Sequence, residues 1–266
     1  MELFFGLYYK INEKQIKGRI RLYLQPKKED MKKLTITAIL ICCLIAVQFA
    51  HGQSVDDIIN KHVEAMGGRQ KIMSLTSALM TGTFTSAGTP AINIVTTKKH
   101  MIGSRIDIEV GGTNNYQVIT PKNGWIFTPV QGDKEPRPLV EEQFKVGQVQ
   151  LDLHGPFLNH KEKGLKIEMA GKDTVNGSVC NKLKVTSPNT NVTVYYIDSK
   201  SNFIVKSSTK MFQYGALEDV VTTYSNYKQN ADGFWFAYGN ISPRGETKYE
   251  KIETNITVDE KIFKIN

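Results

Sequence analysis

The sequence predicts a mainly β protein of the α+β kind. It reads as one antiparallel meander of about eleven strands, forming a curved sheet or barrel, with a few helical turns on its concave face. Three observations carry this. From Thr76 onward apolar residues recur with period two. Gly, Asn, Asp and Pro punctuate the alternation at short, regular intervals. One stretch ahead of this region and one within it do not alternate, and both carry apolar side chains that can pack on a sheet.

The first of these is SVDDIINKHVEAMGG. Val55, Ile58, Ile59, His62, Val63 and Met66 fall on one face of a helix. Ser54 caps it, and Asp57, three residues on, is a weaker relative of the capping-box Glu. Asp56 and Asp57 suit the positive helix end, and Gly67 and Gly68 terminate it. A short turn over Arg69 to Ser74 follows. His62 is then expected as a packed core histidine.

The strands come next. SALMTGTFTS sets Ala78, Met80, Gly82 and Phe84 on one face and threonines on the other. INIVTTKKH, MIGSRIDIEV, NNYQVITP and GWIFTP continue the series. After a break come LKIEMAG, SVCNKLKVTS, NVTVYYID, FIVKSSTKMF, EDVVTTYSNY, FWFAYGNI and ETKYEKIETNI. Gly111-Gly112, Asn176-Gly177, Pro188-Asn189 and Asp232-Gly233 mark turns. Cys180 lies in a strand and reads as a buried small hydrophobe. The break, PLVEEQFKVGQVQLDLHGPFLN, reads as helical turns interrupted near Gly147 and at Gly155-Pro156. The place it can bury Leu139, Phe144, Leu151, Phe157 and Leu158 is the concave face.

The chain of 266 residues has a formal charge of +8. Much of the excess sits in front. In residues 31–52, Lys32-Lys33, a run of apolar residues and Ala50-His51-Gly52 follow the three-part pattern of a cleaved signal peptide, with the cut before Gln53. The apolar run is short for a membrane span. Ile41 and Cys42 precede Cys42 and Cys43, where lipoprotein processing uses a small residue, so neither cysteine is read as lipidated. Residues 1–30 read as an upstream extension from a mis-set start. Without residues 1–52 the net charge is +3, and the nucleic-acid footprint goes with them. One cysteine remains, so no internal disulfide forms. Residues 53–266 are expected to form a single domain.

No phosphate-binding loop, GxGxxG, HExxH or GxSxG motif occurs. His100 follows two lysines and reads as solvated. His154 and His160 flank a Gly-Pro break with no third metal ligand in register. Glu141-Glu142 and Asp56-Asp57 are neighbours that face apart on a helix, and read as solvated helix starts. These readings point away from an enzyme and assign no catalytic residue, metal or cofactor. A wide curved sheet has more concave apolar area than two short helices fill, which is how such folds make ligand cavities. The alternation nominates Met80, Phe84, Ile106, Ile108, Tyr196 and Val205 as cavity residues, although a register slip of one residue would exchange faces.

The order of these parts resembles the LolA/LolB/RseB-like periplasmic proteins, most closely the outer-membrane lipoprotein-sorting type of Bacteroidetes-like bacteria. The resemblance rests on VDDIINKHVEAMGGRQKIMSLTSALMTGTF, on QLDLHGPFLNHKEKGLKIEMAGKDTVNGSVCNKLKV, on VTVYYIDSKSNFIVK, on YSNYKQNADGFWFAYGNI and on the closing TVDEKIFKI, and so covers residues 54–266. It implies an unclosed β-barrel around helices with a hydrophobic cavity. It also implies a periplasmic carrier or sensor of a lipid-like ligand, with lipoprotein acyl chains as one such ligand. Envelope proteins would be its partners, nucleic acid would not, and the chain would act as a monomer. The alternative is an envelope interaction or scaffold module with a filled interior. The resemblance assigns no individual site residue. The exported protein is expected to begin at Gln53 without lipid, which mass spectrometry of the secreted form checks; a retained residue 40 or a diacylglycerol on Cys42 is the contrary result.

Overall fold

The computed structural model describes residues 54–86, 88–213 and 216–264. The signal peptide expected at 31–52 and the extension at 1–30 lie outside the described residues.

The chain opens with helix α1 (Val55–Ala65) and the short α2 (Arg69–Met73). Ser54 Oγ accepts from the Asp57 N–H at 3.1 Å, and the Asp57 carboxylate accepts from the Ser54 N–H at 3.3 Å, so the capping box is complete. Gly67 and Gly68 close the helix with φ of 107° and 84°, a region costly for any residue with a Cβ.

Thirteen strands then build one antiparallel sheet that does not close into a barrel. They are β1 (Ser77–Thr85), β2 (Ile92–Lys99), β3 (Gly103–Val110), β4 (Thr113–Ile119), β5 (Gly124–Phe127), β6 (Arg137–Pro138), β7 (Lys166–Val175), β8 (Ser178–Thr186), β9 (Val192–Asp198), β10 (Ile204–Gln213), β11 (Ala216–Gln229), β12 (Trp235–Ser242) and β13 (Gly245–Thr254). Every alternating segment of the sequence forms one of them. The exception is β6, whose two residues are too few to show a period. Hairpins follow turn chemistry: Asn176 and Gly177, both with positive φ, join β7 to β8.

The spatial order is β6-β5-β4-β3-β2-β1-β13-β12-β11-β10-β9-β8-β7. Two meanders, β1 to β6 and β7 to β13, are therefore joined at the middle by β1 against β13. At this joint the register shifts between Thr81 and Gly82. A Cβ on Gly82 would lie 2.0 Å from the Lys248 carbonyl oxygen, so the joint closes only over a glycine.

Residues 139–165 connect the two edge strands β6 and β7. This connection crosses the concave face as a strap and drops side chains into each part of it in turn. Around α3 (Glu141–Gly147), Leu139, Phe144 and Leu151 pack on Ile119 of β4 and Ile126 of β5. Leu153 joins Ala78, Met80, Tyr238 and Ile252 near the central joint. Phe157 and Leu158 then meet α1, packing with Ile58, Ile59 and Val63 on Leu183, Val185 and Ile197 of β8 and β9. On the opposite face the C-terminal 3₁₀ turn lies over β3. Phe263 is buried where Gly103 lacks a Cβ, and Arg105 donates to the Ile262 carbonyl at 3.1 Å while forking onto Asp107.

His62 and Cys180 are buried, as their positions predicted. The His62 Nδ1 lies 2.8 Å from the Asn202 carbonyl, and its ring meets Phe157 edge-on. Among the described residues no helix is long and apolar enough to cross a membrane.

Burying an apolar side chain of this size contributes about 1.5–3 kcal/mol. Ile59→Asp, which sinks an unpaired charge between α1 and the sheet, should destabilise the domain by about 3 kcal/mol or more. Asn60→Asp, on the exposed side of α1, should change stability by less than about 0.5 kcal/mol. Urea denaturation of the two variants measures the contrast, and equal effects would refute this packing of α1.

Candidate functional site

Between α1, the strap and the middle strands the concave face is not filled. A cavity of about 320 Å³ remains there. Its roof comes from the end of α1 and from α2 with the turn after it, through Val63, Met66, Ile72 and Leu75. The strap contributes residues 153–158. The sheet contributes Met80 of β1, Lys98 of β2, Ile204 of β10, Tyr224 and Tyr227 of β11, and Trp235 and Phe236 of β12. Strands β2 and β10 are five inter-strand steps apart, about 24 Å on a flat sheet. One small cavity touches both because the sheet curves.

The lining is mainly apolar and aromatic. Asn226, with φ of 55°, breaks the alternation of β11, and Tyr224 and Tyr227, three apart, both reach the cavity. The Tyr227 hydroxyl donates to the Ile204 carbonyl at 2.8 Å, and Phe203 stacks on its ring. Tyr224 and Ser207 share a hydrogen bond of 3.1 Å. Burial pushes Tyr224, Tyr227 and Tyr249 above the usual phenol range, so all three are neutral. Burial also holds His62 below the usual imidazole value, against the Asn202 carbonyl that raises it.

One lining side chain stands apart. Lys98 continues the inward series Ile94, Thr96, Lys98 on β2, with Ala78 opposite it on β1 and Ser104 opposite it on β3. Lys98 is half-buried, and desolvation against the cavity wall lowers its ammonium pKa to about 8. Among the described residues nothing hydrogen-bonds or ion-pairs with it, whereas its neighbour Lys99, on the other face, meets Glu260 at 2.6 Å. The Ser104 hydroxyl is buried and also lacks a partner. No carboxylate lines the cavity among the described residues.

The six sequence-nominated residues divide. Met80 lines the cavity. Phe84, Ile106 and Ile108 lie on the same face by register, on β1 and β3, outside its wall. Tyr196 lies on the other face under Lys206, whose Nζ is 4.5 Å from its ring centre; the inward residue is Tyr195, which packs on Phe157. Val205 falls in the irregularity where β10 shifts register between Ile204 and Lys206. Sequence reasoning missed Lys98, because Lys98-Lys99-His100 looks like a solvated strand end. Strict alternation from Ile94 would have found it.

His100 is half-buried, a correction to its solvated reading. Its ring stacks on His154 at 3.8 Å, and together with Asp152 the two bring ligand atoms within 4.8 Å of one another. His160 stays apart, beside the Phe157 carbonyl. Most polar atoms of the trio are already engaged. Lys163 holds Asp152, the Leu153 N–H donates to His100 Nδ1, and His154 Nε2 meets the Leu75 carbonyl. The trio pins the strap to the turn before β1. A second depression, of about 440 Å³, opens where β12 and β13 splay. Its rim mixes Lys228 and Lys251 with Asp232, Glu250 and Glu253 and favours neither sign of ligand.

A lysine whose pKa is depressed on folding costs stability while both states carry the charge, and the cost shrinks with rising pH wherever the unfolded chain holds more protons than the folded one. That cost is full at pH 7, shrinks as pH rises through about 8, and is gone above the unfolded value near 10.5. Lys98→Met should therefore stabilise the ligand-free protein at pH 7 by about 1–3 kcal/mol, and by much less at pH 10.5. Thermal melts at both values test this; a loss of stability at pH 7 would show that the ammonium is paired.

No family model matches the sequence, and no curated protein matches it. Solved structures do match by shape. A LolA superfamily protein from Nitrosomonas europaea superposes with a TM-score of 0.50 at 14% identity, over 77% of this chain and 96% of that one. A domain described as an outer membrane lipoprotein-sorting protein from Vibrio parahaemolyticus gives 0.43 at 15%, over 78% and 94%. A DUF1329 family protein from Desulfovibrio piger gives 0.46 at 9%, over 80% and 98%. The single open antiparallel sheet of this chain thus has the LolA-like fold.

Proposed function

We propose that this protein is a non-catalytic binding protein of the cell envelope that holds the acyl part of a lipid-like ligand on its concave face. The observation that carries the proposal is the cavity itself: apolar and aromatic walls, buried tyrosines kept neutral, and a lining drawn from α1, the strap and the sheet's centre. Burial of an acyl chain contributes about 0.8 kcal/mol per methylene, so about ten methylenes supply about 8 kcal/mol, the scale of micromolar binding. Such a site needs few polar contacts. The signal-peptide pattern in the sequence supports an exported location, and lipoprotein acyl chains are one ligand of the right chemistry. Envelope proteins that deliver or accept the ligand are the partners this reading calls for.

A neutral probe tests it. Dodecanol should bind the folded domain at about micromolar affinity, with a negative heat-capacity change that marks apolar burial. Trp235, in the cavity wall, offers a fluorescence reporter. Ala237 also lines the cavity, and Ala237→Phe, which puts a ring where the probe would lie, should weaken binding at least tenfold. A folded domain that binds no dodecanol and carries no co-purified lipid would overturn the proposal in favour of an envelope scaffold with a filled interior.

A further inference from the structure

We propose that the ligand is an amphiphile with an anionic head, and that Lys98 seats that head, with Ser104 beside it as a further donor, while the rest of the cavity wall holds the chain. This rests on the cavity reading above and specifies its ligand class.

Proteins pair the charges they bury, because an ammonium taken from water with no counter-charge is costly. Lys98 breaks that rule inside the cavity wall. Other polar groups do not satisfy it. The titratable groups that share its cavity are His62 from α1, His154 from the strap, Tyr224 and Tyr227 from β11 and Tyr249 from β13, and none offers a negative charge at neutral pH. The nearby carboxylate of the strap, Asp152, is held by Lys163 and by the His154 N–H.

Ser104, which adjoins Lys98 just outside the lining of the cavity, is a second sign. Its hydroxyl is buried without a partner, and it stands directly opposite Lys98 in the β2–β3 ladder. Directly opposite residues on one face have Cβ atoms about 4.5–5.5 Å apart. The Lys98 ammonium, at the end of its stem and without a counter-charge, can donate to the oxygens of a carboxylate or of a phosphate monoester, and the Ser104 hydroxyl at the foot of that stem is a further donor. A neutral head would leave the ammonium as costly as before. An anionic head converts that cost into affinity, and the shift of Lys98 toward neutrality when the cavity is empty agrees with this.

The test compares laurate, dodecyl phosphate and dodecanol, which share one chain length, in binding titrations followed by Trp235 fluorescence. At pH 7 one or both anions should bind at least tenfold more tightly than dodecanol. A preference for laurate alone indicates a planar carboxylate site, and a preference for both indicates recognition by charge. From pH 8 to pH 10 the affinity for the anion should fall as the empty site loses its proton, while dodecanol binding stays level. Lys98→Met should erase the preference yet retain dodecanol binding, Lys98→Arg should keep it, and Ser104→Ala should reduce it severalfold. Circular dichroism confirms that each variant is folded. Equal affinities for all three probes, or a preference that survives Lys98→Met, would overturn the proposal and leave the acyl-binding reading standing. Failure of every probe, dodecanol included, would overturn both.

Discussion

The architecture depends on covering one wide apolar sheet face with very little helix. α1 supplies one narrow stripe, Ile58, Ile59 and Val63, which settles on β8 and β9. It cannot reach the other half of the sheet. The strap can, because it must travel from β6 at one edge to β7 at the other. Its apolar residues occur in the order in which it passes over the sheet: Leu139 and Leu151 on the first half, Leu153 at the joint, Phe157 and Leu158 against α1. Topology and burial thus impose the same path. The cavity is what remains above the central strands, beside the place where strap and helix meet.

Chemically the cavity is lopsided. Its phenols are neutral, burial favours the neutral imidazole at His62 of α1, and Lys98 is the one lysine in its wall among the described residues. The same strand shows both fates of a lysine. Lys99 faces outward and finds Glu260, while Lys98, one residue back, faces inward and finds no acid. Alternation along β2, which makes a good strand, is also what places a charge in an apolar chamber.

Much of this was legible in the sequence. The helix, its cap and the strands announce themselves by period and by turn residues. Faces were harder. Period two tells that Tyr195 and Tyr196 point apart, but only pairing with β8 and β10 decides which points in. Val205 could not be placed because a register shift is invisible without the partner strand. β6 is too short to carry a pattern. His100, Asp152 and His154 converge through the return of the strap over the start of β1, a contact that no linear spacing encodes. Lys98 was legible and was overlooked, because a lysine pair before a histidine resembles a solvated strand end.

The central joint has a mechanical meaning. Ala78 near the start of β1 pairs with Thr254 at the end of β13, so the chain enters β1 and leaves β13 side by side. Once α1 and the C-terminal turn have been pulled away, tension on the chain at these two points does not load the β1–β13 ladder in shear, where many hydrogen bonds share the force. It peels the ladder from one end, a bond at a time, toward the bulge at Gly82. The seam between the two meanders is therefore the domain's weak line under load, and the strap, which ties the far edges together, is the element that would still hold the halves to each other after the seam had parted.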